Sequence, residues 1–483
     1  MLGRFTGREV AIVGMGKSNQ SLCRYLVNEG ARITCFDRKT AEELGAAYGE
    51  MSCLGVKWSL GERYLETLPE FRWVFLTPGM KKNLPEVRRA RHMGAVVSNE
   101  IALFLERCKA TVAGVTGSAG KTTACTLAGI MLQESLPGTQ VYVGGNIGAV
   151  LIEKVDSIPE NALVILELSS FQLELLRKSP EAGLILNIRP NHLDVHESYQ
   201  DYVEAKKNIF RFQGQQDWCM LNLDDPVTRG MAAECPGKVG YFTLDPEAAE
   251  KALASGHPVA WLDGEELLLR GPTGSTFRFA GGTSRLASRK DFLVPGQHNV
   301  ANALGAALLT TILGATPRGI GRAIGSFRGV EHRIEFVREL RSVRYYNDSI
   351  ATSPDRTEAL LEAVPGPLVL IMGGYDKGLP FDELAEKVVA RECTVVTLGK
   401  TAPKLEEALL SANLRMQSKA GKGSSSRTGV TRASSLEEAV RLAASKAAPC
   451  SSVVLSPACA SFDMFANFEE RGARFKEIVR NLT

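Results

Sequence analysis

The chain has 483 residues, a length that exceeds what one hydrophobic core supports and that indicates about three domains. Hydrophobic residues make up 44% of the chain and charged residues 23%, as in ordinary globular proteins. The 57 Lys and Arg residues nearly balance the 54 Asp and Glu residues. Charge therefore gives no argument for binding a nucleic acid or a membrane surface, and we expect neither as a partner.

The cysteines and the first residues indicate the compartment. The ten cysteines include no Cys-x-x-Cys pair and the six histidines are scattered, so the sequence indicates neither a disulfide framework nor a zinc cluster. The N-terminus lacks the pattern of a signal peptide. The longest apolar stretch, residues 300–316, contains Asn302 and is short for a membrane span, which favours a buried helix. These observations predict a cytoplasmic protein with reduced thiols.

Short apolar runs rich in β-branched residues alternate with helical patterns along the chain, which predicts an α/β fold with parallel sheets and helices on both faces. The predicted strands include residues 9–13, 32–36, 73–76, 111–115, 163–166, 183–187, 368–372, 394–398 and 452–455. Residues 240–294 instead resemble short strands with glycine turns and predict a small antiparallel sheet appended to the central domain. The Gly/Ser-rich, basic residues 419–435 predict a mobile loop.

The first strand is followed by Gly14-Met15-Gly16-Lys17-Ser18-Asn19, and Asp37 ends the second. A dinucleotide fingerprint has a third glycine that this segment lacks, so an NAD-linked dehydrogenase is only weakly indicated.

The strand at residues 111–115 leads into the most informative segment, Thr116-Gly117-Ser118-Ala119-Gly120-Lys121-Thr122-Thr123. Glycines allow backbone N–H groups to approach phosphate oxygens, the lysine neutralises their charge, and the adjacent hydroxyl can hold Mg²⁺. Val115 stands where the usual P-loop has its first glycine, so the match is to a shortened form. The segment predicts ATP or GTP as the ligand. No Asn-Lys-x-Asp guanine motif occurs, which weakens a GTPase, and no repeat suggests a motor.

Polar groups follow several later strands, at the edge where open α/β sheets bind ligands. Glu167 is suited to binding Mg²⁺, whereas His192 is a less usual ligand because Mg²⁺ prefers oxygen. Lys206, in a helical stretch, is by itself indistinguishable from a surface charge. Further groups of this kind are 189–194, 347–349, 373–377 and 456–461. Their recurrence beside a P-loop favours a catalytic site over helix capping.

Taken together, these motifs resemble the Mur ligases in consistent order from Gly14 to the end of the chain. The segments that carry the resemblance are 116–123, Gly-Gly-Asn-Ile-Gly (144–148), Glu-Leu-Ser-Ser-Phe-Gln-Leu-Glu (167–174), Asn-His-Leu-Asp (191–194), Gly-Gln-His-Asn-Val-Ala-Asn-Ala (296–303), Glu-His-Arg (331–333), Asn-Asp-Ser (347–349), Ser-Pro-Ala-Cys-Ala-Ser-Phe-Asp (456–463) and Asn-Phe-Glu-Glu-Arg-Gly (467–472). The segments 169–174 and 456–461 are most similar to the members that add D-glutamate.

The resemblance implies three domains: a Rossmann-like domain that binds a UDP-substrate (1–108), a central P-loop ATPase-type α/β domain (109–329) and a Rossmann-like domain that binds the amino acid (330–483). It implies an ATP-dependent ligase of peptidoglycan precursor synthesis that adds D-glutamate to UDP-N-acetylmuramoyl-L-alanine through an acyl phosphate. It also implies two Mg²⁺ ions, and we expect a monomer. A sister Mur-type or folylpolyglutamate-type ligase with another amino acceptor stays open, as does a non-catalytic binding protein.

The resemblance also assigns residues to ligands. The catalytic set is Lys121, Glu167, His192 and Lys206, and the metal ligands are Thr122, Glu167, His192 and a carbamylated Lys206. ATP is assigned to Gly117, Ser118, Ala119, Gly120, Lys121, Thr122, Thr123, Asn299, Asn302, Arg333 and Asp348. The UDP-substrate is assigned to Lys17, Ser18, Asp37, Arg38, Asn146 and Ser169. D-glutamate is assigned to Thr352, Lys377, Ser461 and Phe468.

One departure from the family motif concerns the segment Asn347-Asp348-Ser349-Ile350-Ala351-Thr352, where the family has a lysine at the position of Ile350. A cation near the reacting groups is therefore missing. Our hypothesis from the sequence is that Arg356 or Lys377 supplies that charge.

Overall fold

The computed structural model describes residues 4–146, 148–191, 195–271, 282–420 and 428–483. The chain forms two compact units. Unit 1 contains residues 1–289 and 300–325, and unit 2 contains residues 290–299 and 326–483. His192 and Asp194 lie outside the described residues.

The first sheet of unit 1 is Rossmann-like. Its five described strands are all parallel and run in the spatial order β3-β2-β1-β4-β5. They are β1 (Glu9–Val13), β2 (Arg32–Asp37), β3 (Lys57–Leu60), β4 (Trp73–Leu76) and β5 (Val96–Ser98). The helices between them are α1 (Lys17–Asn28), α2 (Ala41–Leu44), α3 (Ala46–Ser52), α4 (Pro85–His92) and α5 (Glu100–Arg107). The order reverses at β1, so the turn after β1 opens at a switch point where such sheets bind ligands.

The second sheet of unit 1 has nine described strands in the order β14-β13-β12-β11-β10-β9-β6-β8-β7. They are β6 (Thr111–Thr116), β7 (Val141–Gly145), β8 (Leu163–Glu167), β9 (Ala182–Ile185), β10 (Trp218–Asn222), β11 (Lys238–Thr243), β12 (Val259–Asp263), β13 (Glu266–Arg270) and β14 (Ser284–Ser288). The accompanying helices are α6 (Lys121–Ser135), α7 (Ser170–Leu173), α8 (Tyr199–Lys207), α9 (Pro226–Gly230), α10 (Pro246–Ala254), α11 (Gln297–Ile312) and α12 (Pro317–Ser326).

The antiparallel strands predicted within residues 240–294 are β12, β13 and β14, but they form one end of the central sheet rather than a small sheet appended to the domain. β12 pairs in parallel with β11, so these strands continue the central sheet without a break. Sequence periodicity indicates that a segment is a strand, but it does not indicate which strand is its neighbour or whether the two run parallel. The continuity with the central sheet was therefore not predicted.

Unit 2 contains a six-stranded sheet in the order β15-β16-β20-β17-β18-β19, counted over described residues. The strands are β15 (Glu335–Leu340), β16 (Val343–Asn347), β17 (Leu368–Gly373), β18 (Thr394–Leu398), β19 (Val430–Arg432) and β20 (Ser452–Leu455). The helices are α13 (Pro354–Ala363), α14 (Asp382–Ala390), α15 (Ala402–Ala420), α16 (Leu436–Lys446) and α17 (Phe468–Arg480). β17 and β20 lie between parallel neighbours and are buried along their whole length, as central strands with helices on both faces are.

The prediction of one mobile loop over residues 419–435 is wrong at both ends. Helix α15 continues to Ala420, and β19 pairs in parallel with β18 through Val430 and Arg432. The Gly/Ser-rich middle, residues 421–427, lies outside the described residues. The edge strand β19 could not be recognised from composition because only three residues form it.

Among the described helices, none combines the length and the apolar character that a bilayer span requires. The α/β class is confirmed by the three sheets, while the domain bounds 1–108, 109–329 and 330–483 stay predictions.

Candidate active site

The P-loop segment connects β6 to α6 and is held in a defined conformation. Gly120 precedes the helix with φ of 85°, in the left-handed region that glycine adopts without a steric penalty. A Cβ at Gly120 would lie 2.3 Å from Oδ1 of Asn302, so the loop and α11 are in close contact here. The Nζ of Lys121 donates to the carbonyl oxygens of Gly117 (2.9 Å) and Ser118 (3.3 Å). The predicted phosphate-binding residues 117–123 and Asn302 are therefore assembled at one place in unit 1.

Two of the predicted Mg²⁺ ligands, Thr122 and Glu167, lie side by side. Thr122 Oγ1 donates to Glu167 Oε2 at 2.8 Å, and Asn146 Nδ2 donates to the other carboxylate oxygen at 3.0 Å. Glu167 ends β8 and is only 2% exposed. A carboxylate and a hydroxyl at the start of the P-loop helix are the oxygen donors that Mg²⁺ prefers, so these residues fit that ion.

Lys206 is buried behind the P-loop and is not the surface charge that its helical stretch, taken alone, would suggest. The side chain is 1% exposed, and its Nζ donates to Thr116 Oγ1 (3.2 Å) and to the carbonyl oxygen of Gly117 (3.0 Å). Burial, together with the charge of Lys121, holds the pKa of Lys206 well below its usual value. As an ammonium Lys206 does not suit a cation site, whereas a carbamate on its nitrogen does.

The turn after β1 has the features of an anion site. Gly16 precedes α1 without a side-chain cap, which leaves the first N–H groups of the helix open near Lys17 and Ser18. Asp37 fixes this turn, since its Oδ2 accepts from the N–H of Met15 at 2.7 Å. The carboxylate of Asp37 thus has a structural role as well as its predicted contact with UDP.

Unit 2 places several predicted residues at the ends of β16 and β20. Asp348 follows β16, and its carboxylate accepts from Ser456 Oγ (2.9 Å) and from the N–H of Ile334 (3.2 Å). Burial raises the pKa of Asp348 to about 7, although these hydrogen bonds and the charges of Arg333 and Arg356 oppose the rise. Asp348 is therefore poised between its two protonation states at neutral pH.

Three family descriptions match the chain in order. They are the Mur ligase MurD-like N-terminal domain over residues 8–99, the Mur ligase middle domain over residues 115–310, and the Mur ligase, glutamate ligase domain over residues 332–459. The chain belongs to the Mur ligase family. The members of this family are ATP-dependent ligases.

Two relatives of this Mur ligase match over nearly their whole length. A UDP-N-acetylmuramoylalanine–D-glutamate ligase of Symbiobacterium thermophilum is 46% identical, and the match covers 100% of both chains. A UDP-N-acetylmuramoylalanine–D-glutamate ligase of Acetivibrio thermocellus is 41% identical, over 99% of the chain and 97% of that protein.

Among solved structures, the UDP-N-acetylmuramate-alanine ligase of Thermotoga maritima superposes with a TM-score of 0.53 at 19% identity, covering 98% of the chain and 99% of that protein. A MurF ligase of Thermotoga maritima in complex with ADP gives a TM-score of 0.51 at 16% identity, over 99% and 97% of the two chains. At these identities the superpositions establish the fold of the Mur ligase.

The remaining predicted residues of this Mur ligase occupy defined places. Ser169 caps α7 through the N–H of Gln172 (3.3 Å). Asn299 donates to the carbonyl oxygen of Pro295 (2.6 Å), and Lys377 donates to that of Thr352 (3.3 Å). Further predicted residues are the exposed Arg38, Arg333 beside Asp348, the buried Ser461, and Phe468, whose ring packs edge-on against His332.

Sequence reasoning did not assign roles to two residues that hold the P-loop of this Mur ligase. Asn187 exchanges hydrogen bonds with the main chain of Ala119, at 3.0 and 3.1 Å. Tyr202 shares a hydrogen bond with Ser118 Oγ (2.7 Å), and its ring lies 4.7 Å from the Nζ of Lys206. Tyr202 is four residues before Lys206 on α8, so the helical spacing was a signal for this pair. Asn187 gave no signal beyond its place as the last residue of a predicted strand.

The role of one residue of unit 2, Arg471, was also not predicted. The buried guanidinium of Arg471 donates to the carbonyl oxygens of Ser349 (2.9 Å) and Cys459 (3.1 Å), which ties together the segments after β16 and β20. The sequence placed Arg471 in the family segment 467–472 but gave it no role, because its partners, backbone carbonyls and the hydroxyl of Ser349 (3.0 Å), are brought together only by the fold.

Among the residues that the structure describes, no group of three or more His, Cys, Asp or Glu side chains is arranged to hold a metal. The predicted metal ligand His192 lies outside those residues. Both Mg²⁺ ions therefore stay predictions.

Proposed function

We propose that this chain is the ATP-dependent ligase that joins D-glutamate to UDP-N-acetylmuramoyl-L-alanine in peptidoglycan precursor synthesis. The observation that carries the proposal is the P-loop with its Thr122–Glu167 pair, in a chain whose relatives at 46% and 41% identity bear that name. The acceptor follows from those names together with the segments 169–174 and 456–461.

The first chemical step transfers the γ-phosphoryl group of ATP to the substrate carboxylate, which forms an acyl phosphate and ADP. This step needs charge neutralisation and alignment rather than a protein nucleophile. Lys121 and the N–H groups of the P-loop supply both, because the ammonium is already held at the loop by Gly117 and Ser118. In the second step the D-glutamate amine attacks the acyl carbon, the amide bond forms and phosphate leaves.

Thr122 and Glu167 would hold Mg²⁺, which neutralises phosphate charge when bound. Lys206 is proposed to carry a carbamate. The reaction with CO₂ requires the unprotonated amine, and burial favours that form by lowering the pKa of Lys206.

The substrate assignments form the rest of the proposal. The UDP group is assigned to the turn after β1 with Lys17, Ser18, Asp37 and Arg38, and the muramoyl-alanine part to Asn146 and Ser169. The nucleotide is further assigned to Asn299, Asn302, Arg333 and Asp348, and D-glutamate to Thr352, Lys377, Ser461 and Phe468. We also propose that the enzyme acts as a monomer in the cytoplasm, which light scattering after size exclusion and cell fractionation test.

The test is phosphate release from ATP and Mg²⁺ with UDP-N-acetylmuramoyl-L-alanine and, in turn, D-glutamate, L-glutamate, L-lysine, L-alanine or diaminopimelate. We expect release only with the nucleotide sugar and D-glutamate together. Lys121→Ala should abolish it, while Lys109→Ala, at an exposed lysine outside the P-loop, should not. Release with another acceptor would instead support a sister ligase, and release without either substrate would refute a ligase.

A further inference from the structure

Two cations from different elements lie on one short segment of unit 2. Arg356, in the first turn of α13, donates from Nη1 to the carbonyl oxygen of Ile350 at 3.1 Å. Lys377, in the loop after β17, donates to the carbonyl oxygen of Thr352 at 3.3 Å. Both side chains are exposed, so their remaining donors face solvent. The segment 350–352 therefore lies between two positive charges.

Neither cation forms an ion pair with an acid in the part of the chain that the structure describes. Among the ion pairs between described residues, neither Arg356 nor Lys377 takes part, and Asp376, which precedes Lys377, is paired with Lys404 at 3.3 Å. The charge of Arg356 also reaches the buried carboxyl of Asp348, whose pKa it lowers against the effect of burial. Two unpaired cations on one segment attract anions.

Hydrogen bonds fix the residues that adjoin the segment 350–352. Ser349 Oγ donates to the carbonyl oxygen of Phe468 (2.8 Å), and Arg471 donates to the carbonyl oxygen of Ser349 (2.9 Å). Helix α13 is fixed to the same place, since Thr357 shares a hydrogen bond with Ser456 (2.9 Å), which in turn donates to Asp348. Arg356 is thus presented from a fixed helical turn, as a specificity contact requires.

We propose that Arg356 determines acceptor specificity: its guanidinium and the Lys377 ammonium bind the two carboxylates of the dicarboxylic acceptor D-glutamate. This inference rests on the proposed function, and it assigns to Arg356 the charge that Ile350 does not carry. The planar guanidinium suits a carboxylate because it forms two parallel hydrogen bonds. A dicarboxylate matches two cations held on one segment, whereas an acceptor with a single carboxylate leaves one of them unpaired.

The test measures steady-state kinetics of the full chain with D-glutamate and with D-glutamine, in which an amide replaces one carboxylate. In Arg356→Ala we expect KM for D-glutamate to rise about tenfold to hundredfold, the range for one lost charged hydrogen-bonding group, with KM for ATP unchanged. The preference for D-glutamate over D-glutamine should fall by a similar factor. Arg415→Ala is the matched control, because Arg415 is a half-exposed arginine of unit 2 paired with Glu386 at 3.2 Å.

A second variant separates binding from structural support. Ile350→Lys placed in the Arg356→Ala background should restore KM for D-glutamate, since it returns a cation to the segment without the guanidinium contact to the backbone. The proposal is overturned if KM for D-glutamate is unchanged in Arg356→Ala, or if activity with both acceptors falls equally and Ile350→Lys does not restore it. If the wild-type enzyme uses another dicarboxylic acid, the proposed function fails and the same ratio is measured with that acid and its amide. If the wild type uses only acceptors with a single carboxylate, both proposals fail.

Discussion

Asp348 is a buried carboxyl whose pKa of about 7 makes the stability of unit 2 depend on pH. An unfolded aspartate has a pKa of about 3.9, so the folded state retains its proton between about pH 4 and pH 7 while the unfolded state loses it. The stabilisation from the protonated form is complete below pH 4 and is lost as the pH rises through 7. The free energy of unfolding of Asp348→Asn should therefore not show this loss, whereas that of the wild type should be lower by at most about 4 kcal/mol above pH 7.

The measurement for Asp348 is the thermal midpoint of both proteins without nucleotide from pH 5 to pH 8. The gap in favour of Asp348→Asn should widen as the pH rises, because asparagine keeps the hydrogen bond from Ile334 and carries no charge. A constant gap would show that Asp348 does not titrate in this range.

Lys206 and its neighbour Lys207 provide a paired test of carbamylation. The pKa of Lys207 is raised by its hydrogen bonds to Glu204 and Glu234, in spite of partial burial, whereas burial lowers that of Lys206. Carbon NMR of the enzyme in ¹³C-bicarbonate should show one carbamate signal that Lys206→Arg removes and Lys207→Arg retains. A signal that survives Lys206→Arg would place the carbamate elsewhere.

At this scale the sequence predicted the residues that belong to a linear motif and not those that depend on tertiary contacts. Lys121 and Thr122 are recognisable because the P-loop binds phosphate with consecutive residues. The burial of Lys206 depends on Thr116 and Tyr202, which only the fold brings together. The role of the buried guanidinium of Arg471 is similarly absent from the sequence, since only the fold brings it to the Ser349 hydroxyl and to the backbone carbonyls that it contacts.

The P-loop depends at the level of the element on the glycine that precedes α6. Gly120→Ala places a Cβ at φ of 85° and 2.3 Å from Asn302 Oδ1, so the Asn302 side chain, the loop or α11 must shift. We expect affinity for ATP to fall at least about tenfold, a loss of about 1.4 kcal/mol, in calorimetric titration. Gly138→Ala is the matched control: it has φ of 92°, and no atom lies within 4 Å of its added Cβ. It should bear the backbone strain and retain affinity, so equal losses in both variants would argue against the contact with Asn302.

Strands with continuous apolar runs were predicted well. β1, β4, β18 and β20 have the predicted bounds, because buried parallel strands differ in composition from the surrounding helices. The strand predicted at residues 183–187 instead ends at Ile185, since Asn187 leaves the sheet to contact Ala119. The short edge strand β19 was missed because three residues carry too little pattern.

For the whole molecule, length and motif order led to three domains, whereas the contacts within the chain join the first two sheets into unit 1. A sequence can indicate where a sheet begins. The strength of the packing between two sheets depends on contacts between side chains that are distant in the sequence. In unit 1 one such link is Lys82, which follows β4 and donates to the carbonyl oxygen of Pro78 (2.6 Å) while its Nζ lies 3.2 Å from Glu174, beyond α7.

The Lys82–Glu174 pair should couple the two sheets of unit 1 energetically. Only 5% of the Lys82 side chain is exposed, so Glu174→Gln leaves a buried ammonium without its counter-charge, and Lys82→Met together with Glu174→Gln removes that penalty.

All four tryptophans (58, 73, 218 and 261) belong to unit 1, so their fluorescence during urea unfolding reports on that unit. We expect a coupling energy of about 1–3 kcal/mol for this pair. The exposed Lys109–Glu160 pair, at 3.6 Å, should give about 0–0.5 kcal/mol. Equal coupling in the two pairs would mean that apolar packing alone joins the sheets.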